Sequence, residues 1–496
     1  MLQLGGLTYV NLDGIHYERP DMNVTSLNFY FFLVVVLSIY YILPRRPQNY
    51  WLLLVSYAFY MTWAWQLSLI LIVMTVINFF LALRMQKTEQ SQLGLLWLGI
   101  GLNLAGLLLF RMFNFFLPDL YDVLNGVGIQ LSEHTVELFL PIGLAYYSLQ
   151  NISYLVDVHR RQISASSNFV DFALYLAYFP KLLSGPIERA RTFLPKLARP
   201  RYVDNNLFAR SLSLIVIGLI RKLFIAGTLS TILFWDAFET PTKYTGPELI
   251  GWIMIYGLFL YNDFGGYTSI ARGVSGLFGI ELSRNFQQPY FARNFTEFWN
   301  SWHISLSNWL RDYIYYPLSR LFRRRVSNPN NWSSLFFPPM ATMIISGLWH
   351  GLSWHMLLWG GLHGLYQVIE RLSSLQKTTT PEQKSLWQQI SGMVTVFILV
   401  TFAWVPFIMD LPVAFTYWGG MLDWTYPIIR FRRIFLFVPI LVFVLGLDWL
   451  QRHYQDDEFF LRWPAWIQAS FLAVSLFLIL LLMQSGQEET FVYQGF

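Results

Sequence analysis

Stretches of apolar residues long enough to cross a lipid bilayer recur along almost the whole chain. A membrane helix needs roughly 20 mostly apolar residues, and the pattern predicts about ten to twelve transmembrane helices together with re-entrant or interfacial helices. The predicted spans lie within Ser26–Leu43, Trp51–Leu83, Leu93–Phe110, Val136–Val156, Ser211–Trp235, Ile250–Tyr261, Leu335–Gly347, His355–Ile369, Ile390–Ile408, Ile434–Leu450 and Trp466–Met483. Trp51–Leu83 is long enough for a tight hairpin of two helices.

Composition supports a membrane protein and excludes several other classes. Of the 496 residues, 55% are hydrophobic and 13% are charged, whereas a soluble domain carries about a quarter charged residues. No polar block is large enough to fold separately, so residues 1–496 are predicted to form one all-α polytopic domain. The chain has no cysteine, which excludes disulfides, thiolate metal sites and a cysteine nucleophile. The net charge of +5 does not indicate a nucleic-acid partner.

The distribution of charge predicts the orientation in the membrane. Residues 1–24 form a leader with three acidic side chains and one basic one, whereas Arg45 and Arg46 directly follow the first span. Two later stretches, Lys181–Arg210 and Arg320–Arg325, are strongly basic. Because Lys and Arg concentrate in cytoplasmic loops, we expect the leader outside and these stretches in the cytoplasm.

The segment Asn294–Pro317 is predicted to be one helix. Asn294 and Glu297 have the spacing of a capping box, and Pro317 is expected to end the segment. A polar stripe on its aromatic surface would be formed by Asn300, His303, Ser307 and Arg311. The alternative is an interfacial helix with its Trp and Tyr side chains at headgroup level and Arg311 near Asp312 facing the cytoplasm.

A second candidate segment is Ser346–Gly364. The pairs Gly347/Gly351 and Gly360/Gly364 have the small-xxx-small spacing that allows close helix contact in lipid. His350 lies inside the first pair, at a break between apolar segments, and an imidazole is suited to general-base catalysis near neutral pH. His355 and His363 are instead predicted to be structural, each satisfied by a neighbouring helix. Their spacing does not fit a zinc site, and no catalytic metal is predicted.

Two shorter features complete the set. Gly185-Pro186 breaks an apolar segment and is predicted either to line a cavity or to form a plain turn. Asp263 is expected to end an apolar span and to orient a partner or cap a helix, and the two glycines after Phe264 permit close backbone approach.

Several motifs together resemble the membrane-bound O-acyltransferase (MBOAT) superfamily. They are YYILPRR, LPIGLAYYSLQNISYLVDVHR, SGPIER, FWNSWHISLSNWLRDYIYYPL and GLWHG, and the core motifs fall within residues 135–371. The resemblance is strongest to the bacterial branch that contains the membrane subunits of alginate O-acetylation, with those of teichoic-acid D-alanylation more distant. It implies a fold with a central tunnel, in which the family's histidine falls on His350 and its second polar residue on His303.

The resemblance also implies a reaction. A short acyl group, such as acetyl, would pass from a cytoplasmic thioester donor, acetyl-CoA or an acyl-carrier protein, across the inner membrane to a hydroxyl of an extracytoplasmic polysaccharide or its carrier protein. No bound cofactor is implied, and a periplasmic acyltransferase is the expected partner. The resemblance places catalytic roles on His350 and His303. Supporting or donor-binding roles are expected, apart from the resemblance, for Asn300, Trp302, Ser307, Arg311, Asp312, Trp349, Asp263, Gly185 and Pro186. The alternatives are a non-catalytic transporter or flippase for a polar substrate, and D-alanyl transfer to a teichoic-acid-like polymer.

Overall fold

The computed structural model describes residues 22–63, 65–87, 92–126, 143–325, 331–375, 385–424 and 432–484. All regular structure in these ranges is helical, which confirms the predicted all-α class. Most of the predicted leader and the start of the span predicted from Val136 lie outside the described residues. The helices group into two compact units, one formed by residues up to 208 together with 274–282, the other by 209–273 and the residues from 283 onward.

The first unit contains the hairpin expected over Trp51–Leu83. One helix ends at Met61 and the next begins at Trp65. Asn103 Nδ2 donates to Asn78 Oδ1 at 2.8 Å, a polar contact between apolar helices of the kind that holds membrane helices together. The helices of this unit are α1 Leu27–Ile42, α2 Arg45–Met61, α3 Trp65–Lys87, α4 Leu93–Gly126, α5 Leu144–His159, α6 Phe169–Ala177, α7 Phe179–Leu182 and α8 Ala190–Ala198.

Gly185 and Pro186 lie in the first unit, directly after α7. The Gly185 amide donates to the Lys181 carbonyl at 3.0 Å, and a Cβ on Gly185 would lie 2.3 Å from the Lys181 Cα. Only glycine fits so tight a turn. The predicted break in the apolar segment is confirmed, and both residues are buried. A cavity at this turn stays a prediction.

The second unit contains the histidine-rich segments. Its helices are α9 Asn205–Leu219, α10 Gly227–Ile232, α11 Asp236–Glu239, α12 Gly246–Leu277, α13 Phe295–Ser301, α14 Ile304–Leu310, α15 Tyr316–Arg325, α16 Trp332–His350, α17 Trp354–Leu375, α18 Leu386–Ile408, α19 Leu411–Gly420, α20 Arg432–Tyr454 and α21 Ala465–Gln484; the first and fourth of these extend into the first unit at one end. Two π-helical segments, Ile220–Ala226 and Arg311–Tyr315, connect α9 to α10 and α14 to α15.

Five helices among the described residues are long and apolar enough to cross a membrane. They cover Trp65–Lys87, Leu93–Phe110, Asn205–Ile232, Leu386–Ile408 and Ala465–Met483. In Ala465–Met483 only 11% of the residues are buried in the protein. An apolar surface of that size needs lipid against it, so the chain is a multi-pass membrane protein. The full number of spans stays a prediction, because it includes shorter segments.

Candidate active site

The helix predicted over Asn294–Pro317 is interrupted at Trp302 and His303. α13 ends at Ser301 and α14 begins at Ile304. His303 has a φ of +40°, a left-handed conformation that costs a residue with a Cβ about 1–2 kcal/mol. The prediction of one continuous helix is therefore wrong, although its start is confirmed, since Asn294 Oδ1 accepts from the Glu297 amide at 2.8 Å.

Asn285, which lies 18 residues upstream of His303, holds this break in place. Its carbonyl oxygen accepts from the Ile304 amide at 2.9 Å, and its Oδ1 accepts from the Ser305 amide at 3.2 Å. The first amides of a helix have no partner within the helix, so Asn285 acts as an external cap for α14. Asn285 was not predicted from the sequence, and no local signal marks it.

The break separates the residues of the predicted polar stripe. Asn300 is exposed on α13, whereas His303 is buried, so the two do not share a face. Ser307 spans the break, since its hydroxyl donates to the Trp302 carbonyl at 3.0 Å. Arg311 begins the π-helical segment, and its Nε lies 3.9 Å from the carboxylate of Asp312.

Pro317 does not end the helical segment, which continues to Arg325 as α15. The π-helical segment directly before it already departs from regular i to i−4 bonding. Pro317 has no backbone N–H, but it lies where the series of i to i−4 hydrogen bonds is already irregular, so the helix can continue through it. The prediction of a helix end at this residue is wrong.

His350 lies at the second break, as predicted. It is the last residue of α16, and α17 begins at Trp354. The two helices pack closely at the predicted glycines, because a Cβ on Gly347 would lie 2.2 Å from the Met356 carbonyl oxygen and one on Gly360 would lie 2.4 Å from the Met343 carbonyl oxygen. His350 is thus fixed at the end of a rigid helix pair.

Trp349 brings the two candidate histidines together. Its ring centroid lies 4.8 Å from that of His350 and 6.0 Å from that of His303. His303 and His350 are 1% and 5% exposed. Both breaks therefore deliver an imidazole to the same indole inside the second unit.

Aromatic rings enclose the remaining sides of the pair. Phe264 packs edge-on against His303 at 4.9 Å, and Trp359 and Phe407 each lie 5.3 Å from His350. Trp302 is buried nearby in the core of the unit, with its ring 5.1 Å from that of Trp404. His350 is therefore packed against aromatic rings on several sides.

Asp263 lies in the middle of α12, so the expectation that it ends a span or caps a helix is wrong, while a role in orienting a partner group stays a prediction. Its carboxylate forms an ion pair with Lys222, and both side chains are buried. The expected close backbone approach is confirmed, since a Cβ on Gly266 would lie 2.7 Å from the Gly218 carbonyl oxygen. Lys222 lies within a predicted apolar span, where an ionisable residue is costly unless it is paired. That position could have identified it as a partner of a buried carboxylate.

Asn285 also lines a polar cavity in the second unit. Gln288 lines it with a φ of +46°, and Gln451 accepts a hydrogen bond at 2.9 Å from Arg221. A salt bridge of 2.7 Å joins Arg272 to Asp457. The cavity is lined by Ile217, Arg221, Tyr261, Gly265, Thr268, Ser269, Arg272, Asn285, Phe286, Gln288, Gln451 and Asp457.

The other two histidines of this region differ from each other. His355 Nδ1 lies 2.9 Å from the Pro406 carbonyl oxygen on α18, which confirms the prediction of a histidine satisfied by a neighbouring helix. His363 is 1% exposed, and neither of its ring nitrogens has a hydrogen-bond partner among the described residues. For His363 the same prediction is wrong. No group of three or more His, Asp or Glu side chains in the described part of the chain is arranged to hold a metal ion.

Comparison with known proteins matches residues 91–409 to the membrane-bound O-acyltransferase family, MBOAT. A probable alginate O-acetylase, AlgI, from Pseudomonas aeruginosa is 35% identical over 384 residues, which are 76% of this chain and 70% of that protein. A peptidoglycan O-acetyltransferase from Helicobacter pylori is 30% identical over 77% of this chain and 76% of its own length. A teichoic acid D-alanyltransferase from Streptococcus thermophilus is 27% identical over 55% of this chain and 69% of its own length.

Proposed function

Because the chain belongs to the membrane-bound O-acyltransferase family and is a membrane O-acyltransferase, we propose that it transfers an acetyl group from a cytoplasmic thioester to a hydroxyl of an extracytoplasmic polysaccharide or its carrier protein. The relatives from Pseudomonas aeruginosa and Helicobacter pylori, at 35% and 30% identity, are both named for O-acetyl transfer, which supports acetyl over D-alanyl. The protein would lie in the bacterial inner membrane with its N-terminus outside.

The observation that carries the proposal is the meeting of His303 and His350 at Trp349. A thioester is already activated, so the enzyme must position two substrates and remove one proton. At the two breaks the backbone amides are no longer all hydrogen-bonded within a helix, and the side chains can turn toward a substrate.

In the proposed reaction, His350 accepts the proton of the acceptor hydroxyl as its oxygen attacks the thioester carbonyl carbon. The C–O bond forms, the C–S bond breaks, and the proton passes from His350 to the departing thiolate. His303 hydrogen-bonds the carbonyl oxygen as negative charge develops on it. Arg311, whose side chain is 42% exposed, attracts an acidic carrier or a phosphate-bearing donor from the cytoplasm.

The test is acyl transfer by the full chain in proteoliposomes, with radiolabelled acetyl-CoA or acetylated carrier protein on one side and candidate glycans on the other. General-base help contributes about 10²–10⁴-fold, so His350→Ala should lose at least 10²-fold in rate. His453→Ala is the matched control, because His453 is exposed and stacks on Trp449, and it should retain the wild-type rate.

Two outcomes would change this proposal. Full transfer by His350→Ala at equal protein level contradicts the role of His350. Label that stays covalently on the protein in the absence of acceptor would replace direct transfer with a two-step route through an acyl-enzyme.

A further inference from the structure

Imidazole and indole rings alternate in a continuous row through the candidate site. The centroids of neighbouring rings are 6.0, 4.8, 5.3, 4.9 and 5.0 Å apart. The row runs in the order His303, Trp349, His350, Trp359, His363 and Trp299. The proposed reaction uses its first half, whereas the second half, from Trp359 to Trp299, has no role in it.

The second half of the row contains buried polar atoms that require a partner. Neither ring nitrogen of His363 has a hydrogen-bond partner among the described residues, and the same holds for the Nε1 atoms of Trp299 and Trp359. Leaving a buried donor unsatisfied costs about 1–3 kcal/mol, so such groups in a native protein call for an explanation. Three ring systems in mutual contact share this property here.

The surroundings restrict what these atoms can bind. Phe298 and Tyr366 cover further faces of His363, with centroids 6.3 and 5.7 Å away. Within the described part of the chain, no charged side chain takes part in the ring contacts of this cluster, so an ion would be poorly compensated. Indole nitrogens only donate, and one nitrogen of a neutral imidazole donates. The cluster therefore fits an uncharged hydrogen-bond acceptor, such as a carbonyl oxygen.

We propose that Trp299, Trp359 and His363 bind the carbonyl oxygen of the acyl group in the donor complex, beside His350 and before the acceptor attacks. His303 then hydrogen-bonds this oxygen only when negative charge develops on it during transfer. The inference rests on the proposed function, since it assumes a thioester donor that reaches His350. It makes His363 a substrate-binding residue. The opposing explanation is packing alone, in which the edge-to-face ring contacts satisfy the N–H groups through weak N–H···π interactions.

Substitution by phenylalanine separates these explanations. His363→Phe keeps an aromatic ring for edge-to-face packing but removes both nitrogens, and Trp299→Phe removes one indole N–H from a side chain that is only partly buried. The two variants report on the same site independently if one of them folds poorly. His453→Phe is the control for the substitution itself.

The probes are the acetyl thioester of pantetheine and its S-ethyl thioether, which lacks the carbonyl. Each is measured as a competitive inhibitor of acyl transfer by wild type and by each variant. We expect wild type and His453→Phe to prefer the thioester about tenfold, as one hydrogen bond allows. His363→Phe and Trp299→Phe should bind both compounds equally, with affinity for the thioether unchanged.

The remaining outcomes overturn the inference in distinguishable ways. A thioester preference that persists in His363→Phe and Trp299→Phe shows that the cluster serves packing only, while the proposed function stands. Wild-type protein that transfers acyl groups but binds both probes equally likewise removes the carbonyl site and leaves the proposed function intact. Wild-type protein that neither transfers nor binds either probe removes the proposed function and the inference together.

Discussion

Replacing Gly347 with alanine should push apart the two helices that position His350. The added Cβ would lie 2.2 Å from the Met356 carbonyl oxygen, and real Cβ atoms essentially never approach closer than 3.0 Å. Because the obstacle is backbone on α17 and not a flexible side chain, the helices must separate by about 0.8 Å at this point. Overpacking of this kind costs about 1–3 kcal/mol.

The same displacement should also lower the rate of acyl transfer. His350 follows Gly347 by less than one turn on α16, while Trp359, which contacts His350, lies on α17. A misplacement of about 1 Å at a reacting group can cost roughly 10²-fold. We therefore expect acyl transfer by Gly347→Ala to fall between about tenfold and 10²-fold.

Gly361→Ala is the matched control on the same helix pair. A Cβ on Gly361 meets nothing within 4 Å, and alanine has a higher helix propensity than glycine, so this variant should keep its rate and its thermal midpoint. Both variants are assayed for initial rate in proteoliposomes and for unfolding in detergent. Equal rates for Gly347→Ala and Gly361→Ala would refute the view that the α16–α17 contact sets the position of His350.

Two further predictions concern charges outside the histidine row. Lys222→Met or Asp263→Asn alone should lower the free energy of unfolding by about 3–5 kcal/mol, because each leaves a buried charge or polar group unpaired. The combined Lys222→Met/Asp263→Leu variant should recover much of this loss. Equal losses in the single and combined variants would count against the pairing. Burial raises the pKa of Glu458 to about 7, and Asp456 and Asp457 act in the same direction. The folded protein then holds a proton that the unfolded chain has released, so stability should fall as the pH rises from about 4.5 to about 7, and denaturation midpoints of Glu458→Gln should lack this slope.

The sequence-based predictions succeeded where the deciding interactions are local. The cap at Asn294 depends on an amide three residues away, and the apolar spans follow from composition over about 20 residues. The close contact of α16 and α17 was predictable because it depends on glycines spaced four residues apart in the sequence. The break at His350 follows from the same short motif.

The failures have a common physical origin in distant partners. The helix break at His303 depends on Asn285, and the course of α12 through Asp263 depends on Lys222, which lies 41 residues away. Helix signals within Asn294–Pro317 favoured continuity, and nothing in that segment shows that its amides would be capped from outside. The prediction for His363 failed for a related reason. Its surroundings come from two helices, and no described residue hydrogen-bonds either of its ring nitrogens.

The candidate site lies at the two helix breaks, at His303 and at His350. The backbone of an unbroken membrane helix offers a substrate no hydrogen-bonding group, because every amide is bonded within the helix. At His303 the chain accepts a left-handed residue, and at His350 a helix ends next to an extended Gly351. Each break costs free energy, and each is held by contacts from elsewhere in the second unit. The cost is explained if both imidazoles must face one substrate from fixed positions, because a site on mobile loops would lose the sub-ångström placement that acyl transfer needs.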